Sequence, residues 1–253
     1  FWNQFEEFGF TSIAGVPFVY EMLDRIGFRK KKYPNLCYIS QAGGNLNQKT
    51  KQRFLDYCLE NKILFYVMYG QTEATARISF VPPEKLHEKI TSIGKPIMNG
   101  KFSIDNDNSE LIYEGPNVFG GYVEKISDLV TWDEIKHLRT GDLGKVDDDG
   151  YYFVTGRIKR IVKIFGNRVN LDDLESFFKN KFDETNFACI GLEDKTILVI
   201  TDNDKVSLDK IKKVIGQELK IHSSVIKHKI INKFVLTSNG KINYKELEIR
   251  NEV

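Results

Sequence analysis

The first seventy residues alternate between short apolar runs and longer segments in which apolar side chains recur with helical spacing. Three of the runs have the length of strands, and Pro17 lies where the first turn of an intervening helix is expected. Strand, helix, strand at this spacing predicts parallel strands joined by right-handed crossovers. The predicted strands are TSIAGV, LCYIS and LFYVM, and the predicted helices are PFVYEMLDRI and NQKTKQRFLDYCLENK.

From Ser92 to about Val154 the apolar runs become shorter and turn residues separate them. The sequence DDDG, residues 147–150, is typical of a hairpin turn. This region is therefore predicted to form a small antiparallel β-barrel or sheet attached to the parallel α/β layer. Its predicted strands are KFSID, ELIYEG, LGKV and YYFV.

After Gly156 the pattern changes again. The stretch RIKRIVKIFGNRVN is rich in cations, and Asn170 at its end is suited to cap a helix with Asp172 and Asp173 in the first turn. Two apolar runs, a second amphipathic helix, the strand-like HKIINKFVL and a short final helix follow, which predicts a compact α+β domain. The runs are FACIGL and TILVIT, and the second helix is LDKIKKVIGQEL. We predict two domains, residues 1–155 and 156–253.

Composition narrows the class of protein. Of 253 residues, 41% are hydrophobic and 28% charged, which is typical of a globular protein, and the net charge of +2 is too small to favour nucleic acid or an anionic membrane as a partner. No apolar run is long enough to span a bilayer. The start, FWNQFEEFGF, has no signal-type core, and we expect the chain to be part of a longer protein.

The cysteines and histidines give little sign of a disulfide framework or a zinc site. Cys37, Cys58 and Cys189 lie far apart in apolar segments, so we expect buried thiols and a reducing, cytoplasmic location. The four histidines show no metal-ligand spacing.

Polar loops follow two neighbouring strands of the predicted parallel sheet. Gly43 and Gly44, in QAGGN, would let a ligand approach the backbone closely. In YGQTEA, Tyr69 is suited to stack on a purine, Thr72 to donate to a phosphate oxygen, and Glu73 to bind Mg²⁺ beside phosphates. The residues equally fit a helix start with Thr72 as N-cap and Glu73 in the first turn.

Three further loops carry candidate chemistry, and each has a plainer alternative. Asp142 in RTGDLG could accept hydrogen bonds from ribose hydroxyls, or lie in an ordinary turn. The cations from Arg157 to Arg168 could bind anions, with alternate residues on one face if the segment is extended, or form a basic edge strand. Lys241 in TSNGKIN could be a mobile point charge for chemistry, or an exposed hairpin lysine.

Together these segments resemble the adenylate-forming superfamily: acyl-CoA synthetases, luciferase and the adenylation domains of peptide synthetases. Five stretches carry the resemblance in order over nearly the whole chain. They are YGQTE, ELIYEGPNVFGGY, TGDLG, GYYFVTGR-x-K-R-x-x-K-x-x-GNRV and SNGKI. The resemblance implies an α/β fold with the C-terminal part of a large AMP-binding domain, residues 1–155, followed by a mobile α+β domain, residues 156–253.

The resemblance also implies an activity. It is ATP-dependent activation of a carboxylic acid as an acyl adenylate, then transfer to a thiol, with ATP/AMP, Mg²⁺ and coenzyme A as the expected cofactors. The implied roles are catalysis for Lys241, Thr72 and Glu73, metal binding for Glu73, the hinge for Lys159, and a thiolation face for Lys163 and Gly166. The implied nucleotide-binding residues are Gly43, Gly44, Asn45, Tyr69, Gly70, Gln71, Thr72, Asp142, Arg157 and Arg168.

The sequence departs from the superfamily pattern at several points. No Ser/Thr/Gly-rich phosphate loop precedes QAGGN, so we expect these residues alone to turn over ATP poorly. Asn243 and Tyr244 stand where the superfamily usually has Asp and Arg, and Arg160 stands where an acid is common. A carrier-protein thiol or an amine as acceptor, and a non-catalytic nucleotide-binding protein, remain the alternatives.

Overall fold

The computed structural model describes residues 2–123, 125–130, 135–165, 167–182, 185–192, 196–237 and 240–250. The chain divides into two compact units, residues 1–155 and 156–253. Both contain helices and sheets, so the predicted α/β fold class is confirmed.

The first part of unit 1 is a five-stranded sheet with helices. Its elements are α1 (Trp2–Glu7), β1 (Ser12–Gly15), α2 (Pro17–Arg25), β2 (Tyr38–Gln41), α3 (Gln48–Asn61), β3 (Leu64–Tyr69), β4 (Ser79–Val81) and β5 (Lys95–Pro96). The strand order is β1-β2-β3-β4-β5. The first three strands are parallel, as predicted, while β4 and β5 pair antiparallel and were missed because they are only a few residues long.

The helices form where the sequence predicts them. Pro17 opens α2, and the Asn47 side chain caps α3 by accepting from the Lys49 amide at 2.9 Å. Tyr20 packs edge-on against Phe54 and is stacked on Phe65, with ring centroids 5.0 and 5.7 Å apart. The apolar faces of both helices therefore bury aromatic rings against the parallel strands, and hold the ends of β2 and β3 in place.

A four-stranded sheet follows in unit 1, and its last strand continues two residues past the end of that unit. Its strands are β6 (Lys101–Ile104), β7 (Glu110–Glu114), β8 (Leu138–Val146) and β9 (Tyr152–Arg157), in the order β6-β7-β8-β9. The β6–β7 and β7–β8 pairs are antiparallel, as predicted. The predicted turn between β8 and β9 is present, with the Gly150 amide donating to the Asp147 carbonyl at 3.0 Å.

Unit 2 combines a hairpin, a three-stranded sheet and helices. Its elements are β10 (Ile161–Ile164), β11 (Asn167–Asn170), α4 (Leu171–Lys181), β12 (Phe187–Gly191), β13 (Ile197–Thr201), α5 (Leu208–Val214), β14 (Ile226–Ile230) and α6 (Tyr244–Arg250). The sheet order is β12-β13-β14. The Asn170 side chain caps α4 by accepting from the Asp172 amide at 2.9 Å, as predicted. Unit 2 has two buried clusters, one between α4, α5 and one face of the sheet, and one between the opposite face and α6.

The structure adds detail to the sequence prediction at three places. The cationic segment is not continuously extended, because residues Ile158–Arg160 form a 3-10 turn between β9 and β10. The helix predicted over LDKIKKVIGQEL is α-helical only as far as Val214. Its last part, Ile215–Leu219, is a π-helical turn. The last long strand, β14, begins at Ile226 rather than at His228 and ends at Ile230.

The cysteines are free, and two of the three are buried as expected. Burial raises the pKa of the Cys58 thiol to about 12 and also raises the pKa of Cys189. Cys37 was predicted to be buried but is exposed, since it precedes β2 rather than lying within it. Among the described residues, no helix is long and apolar enough to cross a membrane.

Candidate nucleotide-binding site

The loop after β2 is shaped by a buried glutamine. Gln41 is 1% exposed, and its side-chain amide donates to the Gly44 carbonyl at 2.7 Å. Gly43 has φ of 76°, in the left-handed region that glycine adopts without strain. This leaves Gly43 and Asn45 exposed beyond the end of the strand, where the sequence placed a ligand site.

The loop after β3 folds back on itself immediately. A Cβ atom at position 70 would lie 2.4 Å from the Ala76 carbonyl oxygen, so only glycine fits. Residues Thr72–Ala74 form a single 3-10 turn, with Gln71 before it and no side-chain cap. The alternative that Thr72 caps an α-helix is therefore wrong. Thr72 is exposed and Glu73 is half-buried.

Tyr69 and Asp142 meet across the two sheets of unit 1. The Tyr69 hydroxyl donates to the Asp142 carboxylate at 2.6 Å, and Asp142 is 6% exposed. The Tyr69 ring packs against the apolar cluster that contains Phe102, with the two ring centroids 6.3 Å apart. Tyr69 and Asp142 come from separate loops and were both predicted to bind the same ligand. The structure places them in direct contact.

Asp142 lies inside a strand, so the prediction of an ordinary turn at RTGDLG was wrong. The pairing of β7 with β8 shifts register between Glu110 and Ile112, and Gly141 has φ of 74°. The Glu110 carboxylate accepts from the Gly141 amide at 3.0 Å, and the Thr140 hydroxyl donates to the Leu111 carbonyl at 2.7 Å. This irregularity directs the Asp142 side chain to Tyr69.

The Thr72 turn is held in place by the segment around Asn117. The sequence analysis did not single out the residues of this segment individually. The Asn117 side-chain amide donates to the carbonyls of Ala74 and Arg77 at 2.7 and 3.0 Å. The Asn117 side-chain oxygen accepts from the Tyr113 hydroxyl at 2.8 Å. Asn117 lies in the glycine-rich stretch ELIYEGPNVFGGY, so the resemblance located the segment, but no pattern indicated what the amide binds.

Glu73 is contacted from the same segment. The Phe119 amide donates to the Glu73 carbonyl at 2.8 Å, and the Tyr122 hydroxyl donates to the Glu73 carboxylate. That hydrogen bond raises the pKa of the Tyr122 phenol. The carboxylate proposed for the metal is therefore held by an exposed tyrosine that the sequence analysis missed.

Unit 2 carries the remaining candidate site residues. Arg157 ends β9, and Lys159 lies exposed in the turn that follows. Lys163 in β10 is exposed and pairs with Arg168 of β11 in the backbone register. The Lys241 amide donates to the Thr237 hydroxyl at 3.3 Å, and Lys241 is exposed. Gly166 and Asn239 lie outside the described residues, as does the side chain of Arg168.

The residues present fit magnesium held partly by a nucleotide. Among the described residues, no group of three or more His, Cys, Asp or Glu side chains could hold a metal ion by itself. Mg²⁺ is commonly bound by one or two carboxylates together with substrate phosphates. The single half-buried carboxylate of Glu73 is consistent with that kind of site.

Comparisons with known proteins show which enzymes the chain is similar to. Residues 1–123 match the model of the AMP-binding enzyme family. The chain is 24% identical over 209 residues to a 2-succinylbenzoate–CoA ligase of Staphylococcus epidermidis, covering 79% of this chain and 44% of the relative. It is 29% identical over 206 residues to an oxalate–CoA ligase of Arabidopsis thaliana, covering 77% of this chain and 40% of the relative.

A solved structure shows the same fold. O-succinylbenzoate coenzyme A synthetase (MenE) from Bacillus subtilis, in complex with ATP and magnesium ion, superposes with a TM-score of 0.74 at 22% identity. The match covers 98% of this chain and 53% of that one. Residues 1–123 are thus similar to the AMP-binding enzyme family. The chain spans about half the length of the curated relatives it matches.

Proposed function

We propose that this chain supplies the adenosine-binding surface and the lysine-bearing domain of an ATP-dependent acid–thiol ligase. The ligase would activate a carboxylic acid as an acyl adenylate and transfer the acyl group to coenzyme A. The observation that carries the proposal is the 2.6 Å contact between Tyr69 and Asp142. It brings a ring suited to stack on adenine next to a carboxylate suited to accept from ribose hydroxyls.

The other residues of unit 1 would complete the nucleotide site. Gly43, Gly44 and Asn45 would line the adenine and the acyl carboxylate, on the backbone that Gln41 shapes. Gly70 and Gln71 lead into the turn that presents Thr72 for the α-phosphate. From unit 2, Arg157 would bind the ribose hydroxyls, and Arg168 would bind a phosphate or stabilise the thioester-forming arrangement.

Adenylation joins two anions, so charge neutralisation dominates its barrier. A carboxylate attacks the α-phosphorus and pyrophosphate leaves. When bound at Glu73, magnesium would withdraw negative charge from the phosphates. Lys241 would bridge the acyl carboxylate and the α-phosphate, and its ammonium would stabilise the charge that develops in the transition state.

The second step needs a different surface. Lys159 would serve as the hinge about which the C-terminal domain turns, and Lys163 and Gly166 would then face the incoming thiol. Curated relatives of this chain act on CoA, which makes coenzyme A the proposed acceptor over a carrier-protein thiol or an amine. Buried, free Cys58 and Cys189 accord with a cytoplasmic location.

A panel of carboxylic acids with the full-length natural protein tests the proposal by ATP–pyrophosphate exchange. We expect exchange with at least one acid, and thioester formation when coenzyme A is added. Lys241→Ala should reduce exchange by about 100-fold or more, while thioester formation from preformed adenylate changes little. Nucleotide binding without exchange for any acid would instead favour a non-catalytic nucleotide-binding protein, and equal loss of both steps in Lys241→Ala would reject the role of the lysine.

A further inference from the structure

A buried cluster in unit 2 is centred on Arg160, the last residue of the turn that carries Lys159. The Arg160 side chain is 11% exposed. Its Nε donates to the Asp172 carboxylate at 2.8 Å, Nη2 to the Glu175 carboxylate at 2.5 Å, and Nη1 to the Cys189 carbonyl at 2.7 Å. One guanidinium therefore fixes this turn to two residues of α4 and to β12.

Glu175 is the shared acceptor of the cluster. Besides Arg160, its carboxylate accepts from the Cys189 amide at 2.7 Å and from the Tyr244 hydroxyl at 2.6 Å. The Glu175 side chain is 7% exposed. Burial raises the pKa of the Glu175 carboxyl, and Arg160 and Tyr244 oppose that shift. Removing either donor would leave a buried carboxylate less well compensated.

Tyr244 links the cluster to the segment that carries Lys241. It is the first residue of α6, and the guanidinium carbon of Arg160 lies 4.0 Å from the centre of its ring. The segment before it is held by short backbone contacts: the Thr237 amide donates to the Lys241 carbonyl at 2.7 Å, and the Asn243 amide to the Val235 carbonyl at 2.9 Å. The lysine loop is thus fixed at its base by backbone hydrogen bonds and at its exit by Tyr244.

Arg160 and Tyr244 are 84 positions apart in the sequence and lie in direct contact. A planar guanidinium can donate in three directions and stack on a ring at once, which a lysine ammonium cannot do.

We propose that Arg160 is a positioning residue for Lys241. By binding Glu175 and covering the ring of Tyr244, it fixes the lysine loop to the Lys159 turn, so that rotation of the backbone at this turn is transmitted to Lys241. The catalytic part of this inference, which is that Arg160 positions Lys241 for adenylation, rests on the proposed function. The mechanical part, which is that the cluster holds the lysine loop, depends only on the contacts within unit 2.

Amide hydrogen exchange on the 253-residue chain tests the mechanical part. The variant Tyr244→Phe keeps the ring beside Arg160 but removes the hydroxyl that donates to Glu175. We expect the Thr237 and Asn243 amides to exchange about fivefold faster or more, while β12 and β13 change by less than about twofold. Lys181→Met is the matched control, since it breaks the exposed ion pair of Lys181 with Glu218 in the same unit. Unchanged exchange at Thr237 and Asn243, or an equal increase across the sheet, would overturn the inference.

The catalytic part is tested on the full-length protein with Tyr244→Phe and Arg160→Lys. We expect the kcat of pyrophosphate exchange to fall about tenfold while the KM for ATP stays unchanged. A misplaced ammonium stabilises the transition state less but does not alter the binding of ATP. Thioester formation from preformed adenylate should stay within about twofold. Equal losses in both steps would reject the positioning role. If the unmodified protein shows no exchange with any acid, the proposed function fails, whereas the hydrogen-exchange result still decides the mechanical inference.

Discussion

Tyr69 and Asp142 are 73 positions apart in the sequence and are joined by a hydrogen bond of 2.6 Å. The hydroxyl comes from the end of a parallel strand, and the carboxylate from an irregular strand of the antiparallel sheet. The contact therefore ties the two sheets of unit 1 together at the place where we propose that the nucleoside binds.

The energy of this contact can be measured with a double-mutant cycle of Tyr69→Phe and Asp142→Ala. We expect each single variant to lose about 1–2 kcal/mol of unfolding free energy, because Asp142 is buried and each change removes one partner. The double variant should be less destabilised than the sum, by about 1 kcal/mol. Urea denaturation gives the values, with Tyr66→Phe as a control in the same strand. Additive losses would show that the hydrogen bond contributes nothing.

Asn117→Ala should release the turn that carries Thr72 and Glu73. The side chain of Asn117 makes three hydrogen bonds, two of them to backbone carbonyls of this loop. We expect a loss of about 2 kcal/mol in unfolding free energy and faster protease cleavage between residues 72 and 77. Asn106→Ala, on the exposed turn after β6, is the control and should change little. Equal cleavage of both variants would mean that Asn117 does not hold the loop.

Thiol labelling should distinguish the three cysteines. Cys37 is exposed, while Cys58 and Cys189 are buried and burial raises the pKa of each thiol. Because the thiolate is the reactive form, we expect an aromatic disulfide reagent to label one thiol of the folded chain rapidly and all three in denaturant. Cys37→Ser should abolish the fast phase. Persistence of that phase would contradict the burial of the other two thiols.

Lys51 should make stability depend on pH in the alkaline range. Burial lowers the pKa of Lys51 from 10.5 to about 8, and its ammonium donates to the Ile90 carbonyl at 2.9 Å. Because the folded chain then binds fewer protons than the unfolded chain between about pH 8 and 10.5, this group makes stability rise with pH in that window.

The measurement compares Lys51→Met with the unmodified chain by urea denaturation at several pH values. Relative to Lys51→Met, the unmodified chain should gain about 2 kcal/mol of unfolding free energy between neutral pH and the upper part of this window. The comparison with the variant cancels the contributions of other titrating groups. Lys49→Met, at an exposed position of α3, should show no such trend. A constant or opposite difference would mean that the ammonium stays solvated in the folded chain.

Much of the fold could be predicted because its signals are local. Pro17 at the start of α2, Asn170 as a helix cap, and the apolar runs of β2 and β3 each specify an element through its own residues. The errors occurred where local signals were weak or conflicting. Strands as short as β4 and β5 have no periodicity to detect, and Gly141–Asp142 looks like a turn although its neighbours pair it into β8.

By itself, the sequence indicated most of the helices and strands in their order, and the candidate residues of the polar loops, because side-chain type and spacing are properties of the chain. Only the tertiary structure decided which of those candidates touch. It joined Tyr69 to Asp142, set Asn117 and Tyr122 around the Thr72 turn, and paired Arg160 with Tyr244. These contacts link residues distant in sequence, and they depend on strand register and side-chain direction, which local patterns do not specify.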